Sequence, residues 1–383
     1  MKKRWSSLGI IMLSTIMLSG CMPTEMRTER ESMKKEENNN RKNSLPERIE
    51  KKIGENFEIN ADIKAKKTVG LKSLKGTIQK FDNEKTAKLL FGKEKYQKNN
   101  QMKSGGGNGK YYLGKDGSQL NISPGIIQYD SSTYMKKEYS WIVQGFIENS
   151  SDSELQKSFS KERLDDLNKE DVEKKADDII HKLELEDMRK ERVVTLDAES
   201  LQKAAESNMF SGVRQEKNKE GFEKEDEAYL ISYRRDFESV PLTNISYTKT
   251  MEDAVPMMGT SVTIIIGKKG LLSLYCSTAY HIEEESPKEE EGVGFDDILN
   301  RLSEKYKDLI LDSPVEVYEV ELAYVPTERD EQRENFKFEP YWIFKAKQKL
   351  VSSKDNGKLV SEDEDYYDVY MSYKDGKSLE VAQ

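Results

Sequence analysis

From residue 57 onward, apolar and polar positions alternate. Phe57, Ile59, Ala61, Ile63 and Ala65 occupy every second place in "FEINADIKA". A period of two puts them on one face of an extended chain, which predicts a half-buried strand. The period then changes. In residues 83–98, "NEKTAKLLFGKEKYQK", Ala87, Leu90 and Phe91 recur at helical spacing, with Asn83 as the candidate cap and Gly92 weakening the last turns. The runs "KYYL", "QLNI", "GIIQYD" and "YSWIVQGF" predict short antiparallel strands, with Trp141 and Phe146 in the core. Residues 161–187 predict the strongest helix. Its stripe is Val172, Ala176, Ile179, Ile180 and Leu183, and His181 falls opposite it, toward solvent.

The second half keeps mixing the two periods. "RVVTL" reads as a strand, "ESLQKAAESN" as a helix and "AYLISYRRDF" as a strand. "TSVTIIIGKKGLLSLYCSTAYHI" holds two β-rich runs around "GKKG", a hairpin signal. Cys276 lies in the second run and reads as a small buried residue. The acidic "EEESPKEEEG" reads as a solvated loop, since its spacing matches no calcium loop. "FDDILNRLSEKYKDLI" predicts a helix with Phe295, Ile298, Leu299, Leu302, Tyr306 and Leu309 on one face. Three β-type runs follow, "VEVYEVELAYVPT", "FKFEPYWIFKAKQ" and "DYYDVYMSYKDGKSLEV", which predict an antiparallel meander. The fold class is therefore α+β, antiparallel sheets with packed helices, and two related helix-plus-meander units are one reading of it. The regions divide as 53–150, 151–292 and 293–383.

The first residues follow neither pattern. Lys2, Lys3 and Arg4 precede an uncharged apolar run whose core, Leu8 to Leu18, is shorter than the roughly 20 residues that span a bilayer. It has the length of a secretory h-region. It ends in Leu18, Ser19, Gly20 and Cys21, which resembles the bacterial lipoprotein lipobox at all four positions. The resemblance implies a signal peptide over residues 1–20, a diacylglyceryl group on the Cys21 thiol, cleavage before Cys21, and a bilayer anchor on the extracytoplasmic face. Two acyl chains hold a protein stably where one is marginal. Residues 21–52 are rich in Glu, Lys, Arg and Asn and poor in large apolar groups, the composition of a disordered tether.

Composition narrows the partners. Of 383 residues, 35% are charged and the formal net charge is −9, becoming more negative once Lys2, Lys3 and Arg4 are removed. An acidic chain of this kind argues against nucleic acid as a partner. With the lipoprotein start, "YEVELAYVP", "FEPYWIFKAK" and the ending "DVYMSYKDGKSLEV" make the chain similar to the uncharacterised lipoproteins of Gram-positive bacteria, a domain-of-unknown-function family with α+β bodies. A weaker likeness is to PepSY and YycH/YycI-type extracellular domains. There a Pro-aromatic-Trp segment, here Pro340, Tyr341 and Trp342, lies in a strand. That likeness implies binding and regulation, with a membrane protein or cell-envelope component as partner.

Catalytic signatures are sparse. His181 and His281 are the only histidines, and Cys276 and His281, if in one strand, point to opposite faces. G-x-S-x-G and H-E-x-x-H are absent, and the glycine-rich "KSGGGNGK" lacks a phosphate-loop ending, so it reads as a hairpin loop. No metal, cofactor or catalytic residue is assigned, and the chain reads as a non-catalytic envelope binding or regulatory module. Two alternatives stand: a glycan-acting hydrolase using paired carboxylates, and a small-ligand-binding lipoprotein. The second lacks the regular strand–helix alternation of two-lobed solute-binding proteins.

Overall fold

The computed structural model describes residues 45–98, 109–137, 139–140, 157–185, 187–206, 221–249, 256–286, 288–307, 311, 313–352 and 361–381. Leu18, Ser19, Gly20 and Cys21, with Trp141 and Phe146, lie outside them. From Pro46 onward the chain forms one compact unit built on two sheets.

The first sheet has seven strands. β1 (Arg48–Lys52) and β2 (Phe57–Lys64) are antiparallel, and the other strands are β3 (Leu74–Ile78), β13 (Tyr280–Glu284), β14 (Val315–Arg329), β15 (Asn335–Ser352) and β16 (Ser361–Ser372). Their order is β1-β2-β14-β15-β3-β13, with β16 beside the other half of β15. The β14–β15–β16 meander is antiparallel, as its three β-type runs imply, whereas β2 runs parallel to β14. Arg48–Lys52, expected to fall within a disordered tether, is a strand instead. Arg48–Lys52 is an edge strand, because Ile49 and the stem of its neighbours sit opposite Ala61 and Ile59 in register.

The second sheet contains β4 (Tyr96–Lys98), β5 (Lys110–Gly114), β6 (Gln119–Ser123), β7 (Ile126–Asp130), β8 (Met188–Leu196), β9 (Ala228–Phe237), β10 (Val240–Pro241), β11 (Val262–Gly267) and β12 (Gly270–Cys276). Its order is β10-β9-β11-β12-β7-β6-β5-β4, with β8 also on β9. Lys268 and Lys269 form the two-residue turn of the "GKKG" hairpin, where Gly267 pairs Gly270. Gly270 has φ +106°, a conformation that L side chains rarely adopt, so glycine is required there.

Five helices cover these sheets among the described residues. α1 (Asn83–Phe91) and α3 (Lys169–Lys182) pack on one face of the second sheet, where Val172, Ala176 and Ile180 meet Tyr229, Ile231 and Ile264. α2 (Ser132–Lys136) and α4 (Ala198–Glu206) lie over the opposite face, where Leu201 meets Leu196, Leu230 and Ile265. α5 (Phe295–Tyr306) lies on the first sheet. Phe295 and Tyr306 put their rings against Trp342 and Phe57, at 4.6 and 4.4 Å between centroids. Each of its buried Ile298, Leu299 and Leu302 contributes about 1.5–3 kcal/mol of burial, as an upper bound.

Three local expectations are corrected. Asp82, not Asn83, caps α1, because its carboxylate accepts from the Glu84 and Lys85 N–H groups at 3.0 Å. The helix expected over 161–187 begins only at Lys169. Asn168, in an extended conformation, accepts the Asp171 N–H at 2.8 Å and starts the helix there. Tyr139 and Ser140, placed in a strand by pattern, are helical. Tyr139 is buried and stacks on Tyr134 at 5.8 Å, and its hydroxyl bonds the Asp226 carbonyl.

Candidate functional site

The histidines and the described cysteine do not meet. His181 is exposed on α3, as its position opposite the apolar stripe implies. His281 is exposed on β13, in the first sheet, while Cys276 ends β12 in the second. The chain crosses between sheets at residues 277–279, so the two residues belong to different layers and not to one strand. Cys276 is fully buried, and burial pushes its thiol up to about 12, which keeps it protonated and inert as a nucleophile. The acidic stretch after His281 is partly docked. Glu284 pairs with Lys72 at 2.8 Å, and Glu290 pairs with Lys374 at 2.8 Å and accepts from the Ser73 hydroxyl at 3.1 Å.

The densest chemistry lies where the sheets join. β9 and β14 approach there: Leu242 bridges Tyr324, and the Thr243 N–H donates to the Tyr324 carbonyl at 2.8 Å. Arg234, 2% exposed, extends from β9 toward β14. Its Nη1 lies 2.5 Å from Glu321 Oε1 and 3.5 Å from Glu191 on β8, and its Nε donates to the Leu242 carbonyl at 2.7 Å. Burial opposes the charge on Arg234, but Glu321 and Glu191 outweigh it, so the guanidinium is held charged more firmly than usual. Arg234 Nη2 and Glu321 Oε2 are buried with no hydrogen-bond partner among the described residues. Groups of that kind call for an ordered water.

From Glu321 the charges continue along the face of the first sheet that looks away from α5. Lys345 on β15 sits 2.8 Å from Glu319 and 3.7 Å from Glu321. Lys64 on β2 pairs with the other oxygen of Glu319. Burial opposes the Lys345 charge, but Glu321 and Glu319 more than offset it and raise its affinity for the proton. Burial would likewise raise Glu319, yet Lys345 and Lys64 hold it below the ordinary carboxylate range. Asp368, on β16 beside Lys345, goes the other way. Burial pushes it up to about 6, and the attraction of Lys345 only partly offsets this.

The geometry explains why the row forms. Register places Glu319 opposite Lys345, and Lys345 opposite Asp368, so side chains on one face of three strands alternate in sign. A bulge at Tyr318 sets Glu319 and Glu321 onto this face after Val315 and Val317 have packed in the core. Sequence reasoning missed the cluster. The available signal was charge at buried positions inside β-runs: Arg234 in "SYRRDF", Glu319 and Glu321 in "YEVELA", and Lys345 in "IFKAK".

Two surface clefts are also present. One of about 510 Å³ lies at the start of α1, among Lys80, Glu84, Lys98, Lys110 and Tyr112. The other, about 600 Å³, is lined by basic residues including Lys161, Arg163, Lys169 and Arg192. In the first, Tyr112 donates to Glu84 at 3.2 Å. In the second, Arg163 is paired with Glu170 at 2.8 Å. Among the described residues no group of three or more His, Cys, Asp and Glu side chains is arranged to hold a metal ion, and no helix is long and apolar enough to cross a membrane.

A scan against protein-family models finds no match to this chain, and a search of curated proteins finds none. Among solved structures the chain is similar to an uncharacterized protein from Eubacterium rectale. The TM-score is 0.63 at 15% sequence identity, and the match covers 88% of this chain and 94% of that one. At that identity the likeness concerns the fold alone.

Proposed function

We propose that this chain is a lipid-anchored extracytoplasmic protein whose folded body is a non-catalytic binding or regulatory module of the cell envelope. The observation that carries the reading is Leu18-Ser19-Gly20-Cys21, directly after a basic start and a short apolar run. A polar segment then separates Cys21 from the compact unit that begins at Pro46. Attachment makes Cys21 the functional cysteine and leaves Cys276 a packing residue. The charged cluster supports a scaffold role for its members, since Arg234 and Glu321 tie one sheet to the other. Mass spectrometry of the membrane-extracted protein should find a lipid-modified Cys21 at the N-terminus, and Cys21→Ser should release the protein from membranes. An unmodified wild-type terminus, with the variant equally membrane-bound, would sink the reading.

A second reading has one observation in its favour. Asp368 and Glu319 share a face and have proton affinities pushed in opposite directions, the usual division between a general acid and an ionised partner. Lys345 lies between them and takes the place where a sugar oxygen or water would sit. Hydrolysis of cell-wall glycan that disappears in both Asp368→Asn and Glu319→Gln would favour the hydrolase over the binding module.

A further inference from the structure

The cleft beside β8 gathers cations on a chain whose formal net charge is −9. It has a volume of about 600 Å³, and Lys157, Lys161, Arg163, Lys169 and Arg192 line it against one acid, Glu162. The segment before α3, the first residue of α3 and the strand β8 supply them. The backbone of the segment is pinned on three sides. Ser200 of α4 donates its hydroxyl to the Ser158 carbonyl at 3.0 Å, and Thr195 of β8 donates to the Glu162 carbonyl at 3.2 Å. The Leu164 N–H donates to the Tyr229 hydroxyl at 2.8 Å. Phe159 and Leu164 are buried at either end of the stretch, so Lys161 and Arg163 stand exposed on a fixed frame.

Internal pairing does not use up this charge. Arg163 is paired with Glu170 at 2.8 Å, and Lys157 and Arg192 have contacts of their own. With those three set aside, Lys161 and Lys169 remain, and neither has an ion pair among the described residues. Lys169 is also placed against its own helix. A cation in the first turn opposes the helix dipole, so it costs stability where a neutral residue would not. Burial weakens the hold of Arg192 on its proton, and Glu191 restores only part of it, so a further anion beside it is favoured.

Cations from three elements around one cleft favour a ligand with several negative charges over a single ion. The acidity of the chain as a whole favours a compact one, since a long polyanion would run on to acidic surface. A terminal phosphate carries about 1.5–2 negative charges at pH 7, more than a carboxylate, and so matches two unpaired ammonium groups at one point. We infer that this cleft binds a small oligophosphate, with Lys161 and Lys169 as its contacts. The proposal rests on reading the body as a binding module. Mass spectrometry of Cys21 reads out the anchor separately, so failure of one is distinguishable from failure of the other.

The test is isothermal titration of the full chain, in an uncharged detergent, with tripolyphosphate and with citrate. Tripolyphosphate should bind about tenfold more tightly than citrate, and Lys161→Gln and Lys169→Gln should each weaken its binding about tenfold. Lys98→Gln, which removes a lysine from the cleft at the start of α1, should leave binding unchanged. Lys169→Gln should keep or raise the urea midpoint, because it relieves the opposition to the helix dipole. A purely structural lysine would lower that midpoint instead. Citrate binding as tightly as tripolyphosphate, no binding of tripolyphosphate, affinity unchanged in both cleft variants, or an equal loss in Lys98→Gln would each overturn the proposal. So would a Lys169→Gln variant that loses binding together with stability.

Discussion

Removing one member of the Arg234–Glu321 pair is a severe test of how the two sheets are held together. Glu321→Leu takes away the carboxylate 2.5 Å from Arg234 Nη1 and leaves the guanidinium 2% exposed, with Glu191 at 3.5 Å as its remaining partner. Breaking a buried pair in this way costs about 3–5 kcal/mol, most of it for the uncompensated charge. Glu191 is about a third exposed and compensates in part, and Lys345 keeps Glu319 at 2.8 Å. The expected loss is therefore at the lower end, about 3 kcal/mol. With a denaturant slope of about 3 kcal/mol per M, the urea midpoint should fall by about 1 M. Buried Trp342 provides a fluorescence probe of the core of the first sheet. The double variant Arg234→Met with Glu321→Leu removes both charges and should lie within about 1 kcal/mol of wild type, so that the two changes couple by about 2 kcal/mol or more. A single variant that loses less than about 1 kcal/mol, or a double variant whose loss is the sum of the singles, would refute the pair as a cross-sheet tie.

Two further outcomes concern other positions in the first sheet. Asp368 binds its proton more tightly in the folded state, at about 6, than an ordinary aspartate does. Its contribution to stability is therefore present at low pH and lost as pH rises through about 6, whereas the contribution of Glu319, whose proton affinity is lowered, is lost as pH falls through its depressed value. Urea midpoints from pH 5 to 7.5 should fall for wild type by the equivalent of about 1–2 kcal/mol and stay flatter for Asp368→Asn; equal slopes would contradict the assignment. Gly76 lies on β3, where a Cβ would overlap the Phe338 ring and come within 3.1 Å of Ile282. Gly76→Ala should lose about 1–3 kcal/mol in thermal or urea unfolding, and a neutral effect would show that Phe338 has room to turn.

How much of this was legible in the chain depends on the range of each signal. Helical stripes and strand alternation are local, so Val172 to Leu183, the "GKKG" hairpin and the three C-terminal strands are found where pattern puts them. Starts and stops were read less well. The cap that matters is a backbone conformation as well as a residue type, and Asn168 stops the helix from extending back to 161 although the preceding charged residues permit it. Pattern also missed β1, because an exposed edge strand needs few apolar groups: Arg48 is held by Asp62, at 2.7 Å, on its neighbour. The charged cluster was invisible for another reason. Glu319, Lys345 and Arg234 come from strands far apart in sequence, and nothing local marks a charge whose partner arrives from another strand.

The sequence by itself determined the α+β class, the helix faces and the "GKKG" hairpin, because each rests on residues within a few positions of one another. Only the tertiary structure decided that β2 lies parallel to β14, that Cys276 and His281 sit in different sheets, and that the charges form a row ending at Asp368. Those outcomes depend on register and layer, which are fixed by contacts between distant segments, and no local run of residues carries them.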